Sequence, residues 1–124
     1  NKPFVPIVGA DLGAFVTQLL DPAGYPGLEG AAVTNTAAVG GAGVNLALKL
    51  LNGETVTTDS SAPKPNTVLL VPVVADNTTD EGKALLSSWQ SVPGLDPTWP
   101  LGLQIEGWTT YTPEQAIACK GPND

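Results

Sequence analysis

Two polar residues, Asp11 and Asn35, stand where apolar, strand-like segments of the sequence come to an end. A carboxylate accepts hydrogen bonds from two hydroxyl groups, and an amide both donates and accepts them. Because ligands of open α/β sheets bind beyond the carboxyl ends of the strands, this pair would suit a neutral polyol. Two structural alternatives remain open: Asp11 as the N-cap of the following helix, and Asn35 as a turn residue.

The chain has few residues that could carry out catalysis or bind a metal ion. It contains no His, one Cys and five Lys with no Arg, so Ser–His and Cys–His nucleophiles and a His/Cys metal site are excluded. The acidic residues are scattered rather than grouped as in a calcium loop. We therefore expect no enzyme, no metal and no cofactor. The net charge of −7 also argues against nucleic acid as a partner.

The single cysteine, Cys119, allows two interpretations. It is a small buried thiol near the end of the chain, or it is half of a disulfide whose partner lies outside this chain. The sequence has neither a signal-peptide pattern at its start nor an apolar run of the ~20 residues that span a membrane.

Hydrophobic periodicity predicts strands alternating with helices. Short apolar runs at 4–8, 30–34 and 67–75 are typical of strands, with Pro6 placing the first at a sheet edge or near its own start. The small apolar residues of the second run favour a parallel sheet that is buried on both faces. A helical face follows the first strand at Leu12, Phe15, Val16, Leu19 and Leu20.

Three more helices are predicted from spacing and capping residues. The second has two apolar faces and ends at Asn52, with Gly53 as its left-handed stop; the faces are Val39, Leu46, Leu50 and Val44, Leu48, Leu51. In the third, Thr78 and Glu81 form a capping box. The last has Thr112 as its cap, Pro113 at its first position and Gly121 beyond its end.

From Val92 onward the composition changes to Pro, Gly and Trp. This segment is too apolar for a disordered tail, so we expect an irregular strap that packs through Trp99, Trp108 and Tyr111. The predicted fold class is α/β: a parallel sheet in three layers, with an irregular Trp-rich C-terminal extension.

The ordered succession of these motifs resembles the C-terminal part of periplasmic sugar-binding proteins of the ribose-binding type, the extracytoplasmic receptors of ABC importers. Gly9-Ala10-Asp11 is similar to a family strand end whose Asp binds sugar hydroxyls. Val33-Thr34-Asn35 is similar to a later strand end whose amide touches the sugar, with Asn where the family often has Gln. The segment "ALKLLNGE", residues 47–54, and the apolar strand after it fit the same order.

The resemblance implies a protein with two α/β lobes that bind a carbohydrate between them and signal closure to a membrane permease. Residues 1–75 would be the C-terminal part of the two-lobed domain, and residues 76–124 a capping helix with an irregular extension. We therefore expect an incomplete piece of such a protein, extracytoplasmic with its signal outside this chain. A missing N-terminal part or a second copy of the chain would cover its apolar faces.

Two other functions remain open. The effector-binding core of a lactose-repressor-like regulator has the same fold, although the absence of Arg and the Trp-rich tail argue against it. The third alternative is an acidic α/β interaction domain without a ligand, in which Asp11 is only a helix cap.

Overall fold

The computed structural model describes residues 3–94, 96–103, 105, 107–109 and 112–120. Within these residues the chain forms three short strands and four helices in the order β1, α1, β2, α2, β3, α3, α4. Their bounds are β1 Ile7–Ala10, α1 Gly13–Leu19, β2 Gly30–Val33, α2 Ala38–Leu51, β3 Val74–Asp76, α3 Asp80–Gln90 and α4 Pro113–Ile117.

The strands form one sheet in the order β1-β2-β3. β1 and β2 are parallel, with Ile7 opposite Gly30 and Ala10 opposite Val33. Helix α1 connects them, so the predicted α/β class is confirmed in its general form. β1 lies at an edge and begins directly after Pro6, which has no N–H to pair.

The third strand differs from its prediction in length and direction. It begins only at Val74, because Pro72 interrupts the apolar run, and it pairs antiparallel with β2 through Ala32 and Ala75. The prediction of a wholly parallel sheet is therefore wrong for β3. An apolar run has the same composition in either direction, so its pattern does not determine which way the strand runs.

The main core lies between the sheet and helices α1 and α3. The predicted apolar face of α1 is confirmed, because Val16 and Leu19 are buried while Phe15 and Leu20 pack against the core. Residues from distant parts of the chain complete it: Leu28, Ala32, Ala75, Leu86 and Leu101. Both ranges of the predicted domain division, 1–75 and 76–124, thus contribute side chains to one core.

Helix α2 packs through small residues rather than through either predicted apolar face. Its buried residues are Ala38 and Ala42, which lie in a second cluster with Ile105. Trp108 packs against this cluster and contacts α2 at two points: its carbonyl accepts from Asn45 Nδ2 at 2.6 Å, and Lys49 Nζ lies 4.9 Å from its ring centroid. The leucines and valines of both predicted faces are mostly exposed.

The capping predictions succeed at two helices and fail at one. Gly53 has φ +75° after α2, and Thr112 caps α4 in a full capping box with Gln115. At α3 the cap is Thr79, whose hydroxyl accepts from the N–H of Gly82 at 3.0 Å. The predicted cap, Thr78, instead donates to Asp76. Tyr111 and Gly121 lie outside the described residues.

Cys119 is exposed, so its interpretation as a buried thiol is wrong, while pairing with a cysteine outside the chain stays a prediction. Within the described part of the chain, none of the helices is long and apolar enough to cross a bilayer.

Two helical glycines provide a matched test of the packing. A Cβ at Gly82 would lie against the backbone of Asp76, 2.8 Å from its nitrogen, whereas a Cβ at Gly43 would meet no atom within 4 Å. We expect Gly82→Ala to lower the free energy of unfolding by about 1–3 kcal/mol through overpacking. Gly43→Ala should raise it by up to about 1 kcal/mol through helix propensity. Denaturant unfolding measures both, and a neutral Gly82→Ala would contradict this packing of α3 on β3.

Candidate functional site

Asp11 is the centre of the polar site at the carboxyl ends of β1 and β2. Its side chain is 0% exposed, and each carboxylate oxygen accepts one backbone N–H. Oδ1 accepts from Asn35 at 3.0 Å, and Oδ2 accepts from Gly102 at 2.6 Å. The main chain of Asp11 adds two more bonds, donating to Val33 O at 3.1 Å and accepting from the N–H of Leu101 at 2.9 Å.

The buried carboxylate is tolerated because backbone donors on opposite sides bind its two oxygens. Hydrogen bonds to an ionised acceptor are short and about twice as strong as neutral ones. Gly102 is required for the approach, because a Cβ there would collide with the Thr34 methyl group and lie 2.9 Å from Asp11 Oδ2. The carboxylate therefore joins the ends of β1 and β2 to a segment 91 residues further along the chain.

We use the name strap for residues 96–103, which are the part of the predicted irregular segment that contains Gly102. It runs over the start of α1, and Leu12 forms an antiparallel bridge with Pro100. The N–H groups of Gly13 and Ala14 donate to the carbonyls of Trp99 and Pro97, at 3.0 and 2.8 Å. Backbone carbonyls of the strap thus satisfy two donors of the first helical turn.

Asp11 is consequently not the cap of α1. The N-cap position is Leu12, and no side chain caps this helix. The interpretation of Asp11 as the N-cap of this helix is therefore wrong. Its carboxylate is directed instead toward Asn35 and the strap.

Asn35 lies in direct contact with Asp11, but through its backbone N–H. The residue itself is exposed and lines a small cavity of about 90 Å³ between the end of β2 and residues 70–72. The neighbouring Thr34 fixes this region, since its N–H donates to Val73 O at 3.0 Å and its hydroxyl accepts from Val73 N at 2.9 Å. The amide of Asn35 is thus presented to solvent from a well-anchored backbone.

The donor set does not favour a metal ion. Both oxygens of Asp11 are occupied by N–H groups, and no group of three or more His, Cys, Asp or Glu side chains gathers within the residues described above. The site therefore has three chemical features: a fixed backbone, an exposed amide at Asn35 and a buried carboxylate that orders its surroundings.

A second acidic network lies at the other end of β3. The carboxylate of Asp76 accepts from the hydroxyl of Thr78 at 2.6 Å and from the N–H groups of Thr78 and Thr79, both at 2.8 Å. These bonds, led by the Thr78 hydroxyl, lower the pKa of Asp76 from 3.8 to about 2. The network organises the turn between β3 and α3.

Several residues of these networks were not found from the sequence. Gly102 and Thr34 carry no chemical signal of their own, and their importance arises only from their proximity to Asp11. Asn77 binds three backbone groups at the opposite end of β2, where it accepts from Gly30 and donates to the carbonyls of Leu19 and Leu28. An Asn two residues after the end of a predicted strand was the available signal for it.

Asp11 should be a major contributor to stability. Asp11→Asn replaces one acceptor oxygen with an NH₂ group, which then faces a backbone N–H. We expect a loss of about 2–3 kcal/mol in the free energy of unfolding, measured by denaturant titration. In the control Asp21→Asn, Oδ1 of the half-buried Asp21 accepts from the N–H of Gly24, and the loss should stay below about 1 kcal/mol. Equal effects of the two substitutions would contradict the role of Asp11 in joining the strand ends to the strap.

The Asp76 network predicts a pH dependence with a defined sign. Because the folded pKa of about 2 lies below 3.8, the stabilisation is complete above pH 3.8 and is lost as the pH falls toward 2. A carboxyl ¹³C NMR titration should give this midpoint, and Thr78→Val should raise it toward 3.8. The control Thr98→Val should instead raise the pKa of Asp96, whose oxygen accepts from Thr98 at 2.6 Å. A shift of Asp76 in the control variant would count against this assignment.

Comparisons with known protein families, curated protein sequences and solved structures found no match to the chain.

Proposed function

We propose that the chain is part of the extracytoplasmic sugar-binding component of an ABC importer. The observation that carries the proposal is the meeting of Asp11 and Asn35 at the carboxyl ends of two parallel strands. Ligands of open α/β sheets bind at such edges, and an amide that both donates and accepts suits a sugar hydroxyl. The order of the sequence motifs, which resembles that of ribose-type binding proteins, supports the same function.

The two residues have different roles in this proposal. Asn35 contacts the sugar through its exposed amide. Asp11 fixes the backbone of Asn35 through its Oδ1 while its Oδ2 stays bonded to the N–H of Gly102, so in this proposal it acts on the sugar through Asn35. Sugar bound at this edge then favours a closed arrangement of two lobes, which a membrane permease recognises.

The exposed apolar surface supports the idea of an incomplete fold. Leu51 on α2 is 82% exposed, Val71 is 85% exposed and Val8 on β1 is 74% exposed. On α2 the exposed Val44, Leu48 and Leu51 share one side of the helix, and an apolar surface of this kind is typical of an interface. In the proposal the remainder of the binding protein covers it and completes the three-layer fold, and a second copy of the chain is the other candidate cover.

A ligand-free α/β interaction domain is a second candidate, and the burial of Asp11 favours it. A carboxylate that is 0% exposed and hydrogen-bonded through both oxygens performs a structural task without any ligand. In this alternative the apolar surfaces bind a protein partner and the edge of the sheet has no solute to bind.

Calorimetric titration of the full-length protein with a panel of neutral pentoses and hexoses separates the two candidates. The sugar-binding proposal expects one of them to bind, and Asn35→Ala to weaken that binding at least tenfold, about 1.4 kcal/mol. Asn52→Ala, at the opposite end of α2, is the matched control and should bind as the parent does. Asp11 is less suitable for this test, because its substitution also removes the strap contact.

The same titration has outcomes that reject the proposal. Absence of binding by every sugar in the panel, or unchanged affinity in Asn35→Ala, favours the ligand-free domain. Unfolding temperatures of both asparagine variants should stay within a few degrees of the parent, since both side chains are exposed.

A further inference from the structure

A cavity separate from the polar edge lies where the strap and α4 meet the start of α2. Its volume is about 540 Å³, within the range of small-molecule sites. We call it the Trp99 cavity. The residues that determine its chemistry are Thr36, Ala38, Trp99, Leu103 and Lys120.

We propose that the Trp99 cavity binds a small aromatic carboxylate. Neither Asp11 nor Asn35 lines it, so the proposal goes beyond the sugar-binding function and does not depend on it.

The walls of the cavity suit a flat apolar ring. One wall is the indole of Trp99, which is 41% exposed, together with Pro100 and Leu103 of the strap. The facing floor is the first turn of α2, where Ala38 and Gly41 leave a surface without long side chains. Aromatic rings gain from offset or edge-to-face contact with an indole in addition to the burial of their apolar area.

The polar groups of the cavity suit an anion on that ring. Lys120 is the one charged residue among the described residues of the lining, and it supplies a positive charge in a chain of net charge −7. Thr36 is buried, and its hydroxyl oxygen accepts from the N–H of Ala38 at 3.1 Å. Its hydroxyl hydrogen therefore remains to donate. Among the described lining residues there is no carboxylate or amide side chain, so these residues would leave most hydroxyl groups of a neutral polyol without partners.

The position of Trp99 is fixed through its neighbours. Its carbonyl accepts from the N–H of Gly13, and the bond from Gly102 to Asp11 holds the strap against the sheet three residues further on. The strap wall thus exists before the ligand arrives, which reduces the entropic cost of binding. Asp11 acts on the cavity as a positioning residue.

The experiment is a binding titration of the purified chain with benzoate, followed by ligand-observed NMR and calorimetry. We expect a Kd below about 1 mM. Benzamide has the same shape without the charge and should bind at least fivefold more weakly. Glucuronate has the charge without the aromatic ring and should also bind at least fivefold more weakly. Binding of benzamide or glucuronate as tight as that of benzoate overturns the assigned chemistry.

Two pairs of variants locate the site. Lys120→Gln should weaken benzoate at least fivefold and leave benzamide unchanged, whereas Lys64→Gln, in the loop before β3, should bind both as the parent does. Trp99→Leu should weaken both ligands, whereas Trp89→Leu, on α3 and packed against the main core rather than the cavity, should leave them unchanged. Unaltered benzoate binding in Lys120→Gln rejects the proposal, and because Lys120 is exposed this variant is expected to fold.

Two measurements distinguish the benzoate site from the proposed sugar site. Benzoate binding that survives Asn35→Ala and the addition of a bound sugar supports a separate site. Loss of benzoate binding in Asn35→Ala, or its displacement by a neutral sugar, contradicts it.

Discussion

The carboxylate of Asp11 is the constraint on which the arrangement of this structure depends. It is one of the largest fully buried side chains, and it is charged. A buried carboxylate is expensive unless its oxygens are hydrogen-bonded, so the sheet and the strap must both stay in place to supply their N–H groups. With the strap in place, its carbonyls then satisfy the first donors of α1. The hydrogen bonds of Asp11 to the strap and those of the strap to the first turn of α1 therefore stabilise each other.

The sheet needs such contacts because its strands are short. β1 and β2 have four residues each and β3 has three, so the backbone ladder alone contributes few hydrogen bonds. Side chains at both ends of β2 add more: Asp11 at the carboxyl end, and Asn77, which binds Gly30 at the amino end. Hydrogen bonds from buried polar groups to the backbone specify register as well as stability, because a slipped strand would leave those groups unpaired.

Local signals in the sequence predicted local structure well. The spacing of Val16 and Leu19 predicted the buried face of α1, and Gly53 and Thr112 marked helix ends where the structure has them. These features depend on residues within one or two turns of each other, so a pattern within the sequence is sufficient to reveal them.

Contacts between distant segments were beyond the reach of such patterns. The partner of Asp11 is a backbone N–H at Gly102, and nothing in the residue type indicates that position. The sequence therefore predicted that Asp11 and Asn35 follow strand ends. It did not predict that Asp11 is buried and Asn35 exposed. The direction of β3 was missed for the same reason, because strand pairing is determined by tertiary contacts that apolar composition does not encode.

Helix α2 shows how this small fold keeps separate surfaces apart. Ala38 and Ala42 face the second cluster, and the same first turn borders the Trp99 cavity. Val44, Leu48 and Leu51, at positions i, i+4 and i+7, form an exposed stripe on another side of the helix. A partner that covers the stripe would leave the cavity open, since the two surfaces share the helix but not its residues. Binding of a partner to the stripe can therefore affect the Trp99 cavity only by moving α2 as a whole. Such a shift of the helix would move the cavity floor relative to Trp99.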